Sequence, residues 1–364
     1  MNIAFRADAS NKIGSGHVMR CLALADELRR AGHQCLFVCR EHTGNLGKLI
    51  TDKGYILVLL PSLRDEVTRS ANSRLKQYDE WLGVPWDEDA RQTKEAVARY
   101  DLDWLVVDHY ALDAKWERAI YDTCKKVMVI DDLANRSHEC DLLLDQNLGR
   151  SEDHSQSLVP VRCLSLVGPR FALLRPEFAS LRRQSLERRA RPVLKRILIS
   201  LGGGDQANVT AQLLDGLSVS ALPTTTELDI VMGASAPFLE EIRSKAEALP
   251  FAATVSVNVT DMAERMHLAD LSIGAAGGTS WERCCMGVPS IIVVLAENQR
   301  AGAEALVAAN TALCLDGNDI AAELAERIGQ LIPNTERITS LSLNAAQVCD
   351  GKGAIRVANL LAEK

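Results

Sequence analysis

The sequence predicts an α/β protein of two Rossmann-like domains, each a doubly wound parallel sheet, facing each other across a cleft. Three observations carry that expectation. The chain has 364 residues, and a single hydrophobic core stops growing near about 250–300 residues, so two domains are the default. Strand-like and helix-like patterns alternate along the whole chain, which implies βαβ units. The alternation also restarts on the same plan of strand, glycine loop and helix after an Arg-rich stretch at 182–195.

Taken in order, residues 2–5 read as a buried strand. Residues 18–31 read as a helix, with Leu22, Ala25 and Leu28 at helical spacing and Gly32 as its stop. Strands are expected at 34–39 and 56–59. The acidic, Trp-containing stretch 76–89 reads as a loop, followed by a helix at 90–100, a strand at 103–107 and a helix at 114–125. Strands at 127–131 and 141–144 complete the first half. The polar stretch 150–157 reads as a loop, which places an N-terminal domain at 1–150, a linker at 151–190 and a second domain at 191–364. In that second domain strands are expected at 196–200, 227–232, 253–259, 271–274 and 290–294. Helices are expected at 208–219, 261–269, 279–286, 301–310, 320–331 and 354–363.

Composition narrows the class of function. Hydrophobic residues are 47% of the chain and charged residues 24%, so a large core is available and general disorder is not expected. The net charge of -7 argues against a nucleic-acid partner, which needs a basic face. An anionic small ligand stays open, because backbone dipoles at helix ends bind phosphate even on an acidic protein. Ten cysteines occur, most inside apolar runs such as Cys35 and Cys39, with no CxxC pair and no Cys/His cluster at zinc spacing. Buried, reduced thiols and a cytoplasmic location are expected. The chain opens directly on a strand without signal-peptide character, and no uncharged apolar run reaches the roughly 18 residues of a membrane span. A monomer is expected.

Four stretches could carry chemistry. The first holds Arg6 and Asp8, then Gly14-Ser15-Gly16-His17 and Arg20, after the first strand and at the opening of the first helix. Gly14 and Gly16 permit tight turns and close approach to a ligand. The positive end of the helix dipole favours a neutral imidazole at His17, which in a cleft can take a proton from water. The alternative is a histidine that merely opens a helix. The second stretch is Gly202-Gly203-Gly204 after a strand, suited to phosphate oxygens but neither a Walker A loop nor a full dinucleotide fingerprint. The third is Ala276-Gly277-Gly278-Thr279, with Glu282 in the first turn of the next helix, where a carboxylate can accept both hydroxyls of a ribose. A first-turn acid that only complements the helix dipole is the competing explanation. Asn298 and Gln299 could reach the same pocket. The fourth is Asp108-His109-Tyr110 with Asp131-Asp132, at the C-terminal ends of strands, where α/β sheets line their clefts. No specific ligand spacing supports a metal there, and no cofactor is expected.

Taken together, several blocks resemble the family of UDP-sugar hydrolases of the pseudaminic acid pathway. They are Phe5-Arg6-Ala7-Asp8, the run from Gly14 to Ala25, Val107-Asp108-His109-Tyr110, Ile130-Asp131-Asp132-Leu133-Ala134, the run from Asp141 to Asn147, and that from Gly168 to Phe178. The likeness covers nearly the whole chain, and the C-terminal half is also similar to the nucleotide domain of the MurG-type N-acetylglucosaminyltransferase. The resemblance implies a GT-B fold and hydrolysis of UDP-2,4-diacetamido-2,4,6-trideoxy-β-L-altropyranose by water attacking the anomeric carbon with inversion. It implies His17 as the base, no metal, and a small-molecule UDP-sugar as the partner. Arg175, Asn258 and Met262 join the expected binding residues on the same ground. A UDP-sugar-dependent glycosyltransferase and a non-catalytic UDP-sugar sensor remain alternatives. Free sugar formed without an acceptor argues against the first, and tight binding without turnover favours the second.

Overall fold

A computed structural model of the protein describes residues 1–62, 78–202, 204–233 and 236–363. The chain divides into two compact units, one comprising Met1–Leu173 and Gly353–Lys364, the other Leu174–Lys352.

The first unit runs β1 (Asn2–Ala7), α1 (Gly16–Arg30), β2 (Gln34–Arg40), α2 (Gly47–Asp52), β3 (Ile56–Leu60), α3 (Asp79–Leu82), α4 (Trp86–Val97), β4 (Leu102–Asp108), α5 (Ala114–Ile120), β5 (Cys124–Ile130), β6 (Leu142–Asp145), α6 (Asp153–Gln156) and β7 (Leu164–Val167). The second runs α7 (Pro176–Arg188), β8 (Arg196–Ser200), α8 (Val209–Ser218), β9 (Glu227–Met232), α9 (Leu239–Glu247), β10 (Ala252–Val257), α10 (Met262–Leu268), β11 (Leu271–Ala275), α11 (Thr279–Met286), β12 (Ser290–Val293), α12 (Arg300–Ala308), β13 (Ala312–Leu315), α13 (Ile320–Leu331) and α14 (Thr335–Val348). The chain ends in α15 (Gly353–Glu363), which belongs to the first unit.

Both sheets are parallel and share one winding. The first has the order β3-β2-β1-β4-β5-β6-β7 and the second β10-β9-β8-β11-β12-β13. The strand order therefore reverses beside β1 in one unit and beside β8 in the other, and ligands of such sheets bind beyond the strand C-termini at that reversal. Register places Ala7 opposite Asp108 at the first reversal and Ser200 opposite Gly274 at the second.

The central strands, such as β1, β4, β8 and β11, are covered on both faces, which explains the near-continuous apolar runs that read as buried strands, whereas the edge strands β3 and β10 leave residues exposed. In β1, Ile3 and Phe5 pack with Phe37, Trp104 and Leu361, whereas Ala4 packs on the other face with Val38, Leu105 and Trp116. The second unit has its own core, including Ile197, Ile199, Ile230, Ile273 and Ile291.

The expected divisions need revision in four places. The stretch expected to be a linker, 151–190, contains α6, β7 and α7, and the chain passes between units at Leu174. The final helix was expected in the second domain, yet it packs on the first: its Val357 and Leu361 join that core, and the Trp104 indole donates to the Leu361 carbonyl at 3.2 Å. A Cβ at Gly353 would lie 2.2 Å from the Ala172 carbonyl oxygen, so the chain returns through a spot only glycine fits. An apolar helical stripe specifies that a face is buried, not which core receives it. Within 76–89, expected as loop, the described residues include α3 and the start of α4, where Asp87, Glu88 and Asp89 fill the first turn and complement the helix dipole. The helix expected at 114–125 stops at Ile120, because β5 begins at Cys124.

Candidate active site

In the first unit the reversal point gathers residues from the ends of β1, β4 and β5 and the start of α1. Gly14, at φ +79°, bonds through its N–H to the Ser10 carbonyl at 2.8 Å and closes a tight turn that leads into α1. The turn sets His17 in the first turn of α1, where Nδ1 lies 2.6 Å from Oδ1 of Asp108. Asp108 ends β4 and is fully buried. Arg20, one turn on from His17, donates Nε to Oδ2 of Asp108 at 2.6 Å and Nη2 to Oδ1 at 2.7 Å. Its Nη1 bonds Asp132, which also accepts from the Tyr110 hydroxyl at 3.2 Å.

Burial opposes ionisation of Asp108, but Arg20 and His17 beside it win, and the carboxyl is held well below its usual range. An ionised Asp108 on Nδ1 fixes the tautomer that carries its hydrogen there and leaves Nε2 with a free lone pair, the arrangement of a carboxylate-oriented general base. Asp108 was expected among the ligand contacts. It has no exposed surface, and its carboxylate is taken up by His17 and Arg20.

The Tyr110 ring packs edge-on against the His17 imidazole at 4.6 Å between centroids. Trp81 lies 6.2 Å from the imidazole, stacks on Tyr110 at 5.8 Å, and meets Tyr78 at 4.8 Å. These half-buried rings form a wall beside His17. Tyr78 and Trp81 were not among the expected site residues; a tryptophan in an otherwise acidic, polar stretch was the one signal for them.

Arg6, Asp8 and His109 have a different fate from the ligand contacts expected of them. Arg6 and Asp8 have no exposed surface and His109 only 2%. Arg6 spends its guanidinium on Asp8 through Nη1 at 2.6 Å and on Asp89 through Nη2 at 2.6 Å and Nε at 3.2 Å. Asp8 also accepts the Arg40 N–H at 2.6 Å. Burial pushes His109 down to about 3, so it is neutral. Its Nδ1 accepts from the Ala111 N–H at 3.1 Å, which puts its hydrogen on Nε2, 3.4 Å from Asp8. These residues brace the strand ends beneath the site.

In the second unit the two glycine loops differ. Gly203 lies outside the described residues. Beyond Gly204, the N–H groups of Val209 and Thr210 at the start of α8 are taken by the Asp205 carboxylate at 2.8 and 2.9 Å. That helix end is therefore already capped by an acid, contrary to the expectation that it would face phosphate. The loop Ala276-Gly277-Gly278 is open: Gly278 gives α11 no side-chain cap, and among the described residues the N–H groups of Gly277 and Gly278 have no recorded partner. The Gln299 amide comes close to Gly277, since a Cβ there would meet Nε2 at 3.8 Å. Asn298 lies in the same short turn after β12.

Glu282, in the first turn of α11, has Arg175 for company at 3.9 Å. Burial raises its carboxyl to about 7 against the opposing pull of Arg175 and Arg283. Arg175 precedes Pro176 at the start of α7, with its other Nη on Glu177 at 3.1 Å. Asn258, with φ +51°, follows the outer strand β10, and Met262 opens α10. Both lie at the C-terminal edge of the sheet but two strands from β8.

All ten cysteines are free, seven of them buried, as the apolar runs predicted. No helix among the described residues is long and apolar enough to cross a membrane.

Comparison with known proteins agrees with the fold. Residues 197–354 match the Glycosyltransferase family 28 C-terminal domain. The uncharacterized protein MJ1062 of Methanocaldococcus jannaschii is 23% identical over 82% of the chain, which spans 57% of that protein's length. The UDP-2,4-diacetamido-2,4,6-trideoxy-beta-L-altropyranose hydrolase of Campylobacter jejuni is 26% identical over 68% of this chain and 75% of its own. The spore coat polysaccharide biosynthesis protein SpsG of Bacillus subtilis is 24% identical over 99% of this chain and 98% of its own. The crystal structure of Acinetobacter baumannii MurG superposes with a TM-score of 0.68 at 17% identity, covering 100% of this chain and 99% of that one. The chain thus has the GT-B fold of two Rossmann-like domains, its second half is similar to the glycosyltransferase family 28 C-terminal domain, and it is a distant relative of a UDP-sugar hydrolase.

Proposed function

We propose that the protein hydrolyses a UDP-linked sugar, UDP-2,4-diacetamido-2,4,6-trideoxy-β-L-altropyranose, to UDP and the free sugar. The observation that carries this reading is the 2.6 Å contact of His17 Nδ1 with buried, ionised Asp108 at the sheet's reversal point, in a chain related to a hydrolase of that substrate. Water attacks the anomeric carbon and gives its proton to His17 Nε2. The bond from that carbon to the UDP oxygen breaks, and its electron pair leaves with UDP. Asp108 stabilises the imidazolium as it forms. The open N–H groups before α11 meet the charge that grows on the departing diphosphate. Proton NMR of the chain with candidate UDP-sugars tests the reading directly. UDP and free sugar of inverted anomeric configuration are expected without any acceptor. No release of sugar from any of them sinks it.

A glycosyltransferase is the second reading, favoured by the family 28 domain at 197–354. Turnover that appears only when a sugar or lipid acceptor is added would establish it.

Two expected results follow from the chemistry proposed. Activity should survive EDTA in full, because backbone N–H groups and a helix end carry the charge stabilisation; loss of activity that magnesium restores would refute this. Glu282→Gln should weaken UDP binding by about 1–3 kcal/mol, the range for a lost charged hydrogen bond. The carboxylate is the form that accepts both ribose hydroxyls, and it is protonated below about 7. Uridine affinity should therefore rise with pH through that region in the natural protein and stay flat in Glu282→Gln. Calorimetry that finds identical affinities would leave Glu282 as a helix-dipole residue only.

A further inference from the structure

Arg283 is a buried cation whose hydrogen bonds all go to neutral groups. The residue is 2% exposed, and among the described residues no carboxylate forms an ion pair with it. Its donors go to neutral groups: Nη2 to the Ala275 carbonyl at 2.8 Å and the Ser280 hydroxyl at 2.9 Å, and Nη1 to the Thr279 hydroxyl at 3.3 Å. The side chain leaves α11 and doubles back beneath that helix's own N-terminus, under the glycine loop. Its head lies where the strand order reverses. A Cβ at Gly274 would come within 2.4 Å of Nη1 and 2.8 Å of the Ser200 carbonyl oxygen, so glycine there is what lets the guanidinium lie against the ends of β8 and β11.

Burying an unpaired charge is costly, and a fold tolerates it where a counter-ion arrives later. Among the described residues the one carboxyl that acts on it, Glu282 next along α11, forms no ion pair with it and is itself raised to about 7 by burial. Asp205 caps α8 on the neighbouring loop, whereas α11 has no cap. Burial depresses Arg283 to about 10, which still leaves it charged at neutral pH. A second cation-like feature, the open helix end with the free N–H groups of Gly277 and Gly278, points to the same space.

We propose that Arg283 is the fixed counter-charge for the diphosphate of the bound nucleotide, acting from beneath the glycine loop without touching the ligand. It is a positioning and electrostatic residue: it holds Ala275, Thr279 and Ser280 and adds a full positive charge behind the N–H groups that meet the phosphates. This rests on the reading that the second unit binds UDP.

The test compares UDP with uridine by calorimetry on the intact chain, because only UDP carries the diphosphate. Arg283→Gln removes the charge and keeps a donor; Arg283→Lys keeps the charge. In R283Q the ratio of UDP to uridine affinity should fall about 10–100-fold, the scale of one unit charge at short range in a partly screened site. In R283K most of that ratio should remain. R283Q should also fold, since it sheds a buried charge that no ion pair holds and keeps a donor for the neutral groups around it. Equal losses for UDP and uridine in R283Q overturn the inference, as does failure of R283Q to fold, either of which would make Arg283 a structural hub. A natural protein that binds neither compound overturns the nucleotide reading, and this inference with it. One that binds both, with a ratio unmoved in R283Q, overturns this inference alone.

Discussion

Replacement of His17 by Leu is expected to lower kcat by about 10²–10⁴-fold, the usual weight of a general base. UDP affinity should change little, because the glycine loops expected to hold UDP lie in the other compact unit. The acidic limb of the kcat/KM profile should disappear, since that limb reports a base that must be neutral. Asp108→Asn offers a control: Nδ1 would then face an amide in place of a carboxylate, and the imidazole would lose both its fixed tautomer and its counter-charge. It should lower kcat in the same direction while leaving UDP affinity alone. A His17→Leu protein with near-normal kcat would end the assignment. The other histidine at a strand end, His109, offers no substitute: it is enclosed, accepts from Ala111 on one nitrogen and faces Asp8 with the other.

The largest stability effect should come from Asp89→Ala, in the buried charge network beneath the site. Asp89 accepts from two atoms of Arg6, from Arg40 Nη2 at 2.6 Å and from the Trp116 indole at 3.0 Å. All three charged residues have no exposed surface. Removing one member leaves two guanidinium groups with less than their matching charge in the interior, which costs about 3–5 kcal/mol. Urea denaturation of the natural and variant proteins measures it; a loss below about 1 kcal/mol, the scale of an exposed pair, would contradict the network. The pH dependence has a defined sign. Burial opposes ionisation of Asp8 and Asp89, yet the neighbouring arginines hold both carboxyls below their ordinary value of 3.8. A depressed carboxyl contributes stability above its unfolded value and loses it as pH falls. Stability should thus be steady at neutral pH and drop below about pH 4, and Asp89→Ala should flatten part of that drop.

The two-unit α/β plan, the positions of most strands, and the loops where chemistry could sit were legible in the chain's local patterns. Those features are local. A strand buried on both faces needs a continuous apolar run, as in 196–200, and a turn at φ +79° needs a glycine, as at Gly14. His17 was legible for the same reason, since the glycine turn and the helix start that place it are its immediate neighbours. The tertiary structure decided what depends on partners distant in the chain. Arg6 and Asp8 carry the residue types of a binding site, and only Asp89, 83 residues from Arg6, turns them inward. His109 and Asp108 are adjacent, yet one braces Asp8 and the other orients His17, because successive side chains of a strand end face opposite ways. The capped end of α8 and the open end of α11 both follow glycine loops, and they differ through where Asp205 and Arg283 point. The last helix shows the same limit: its stripe of Ala354, Val357 and Leu361 required an apolar surface, and the path of the chain through Gly353 chose the first unit's core to supply it.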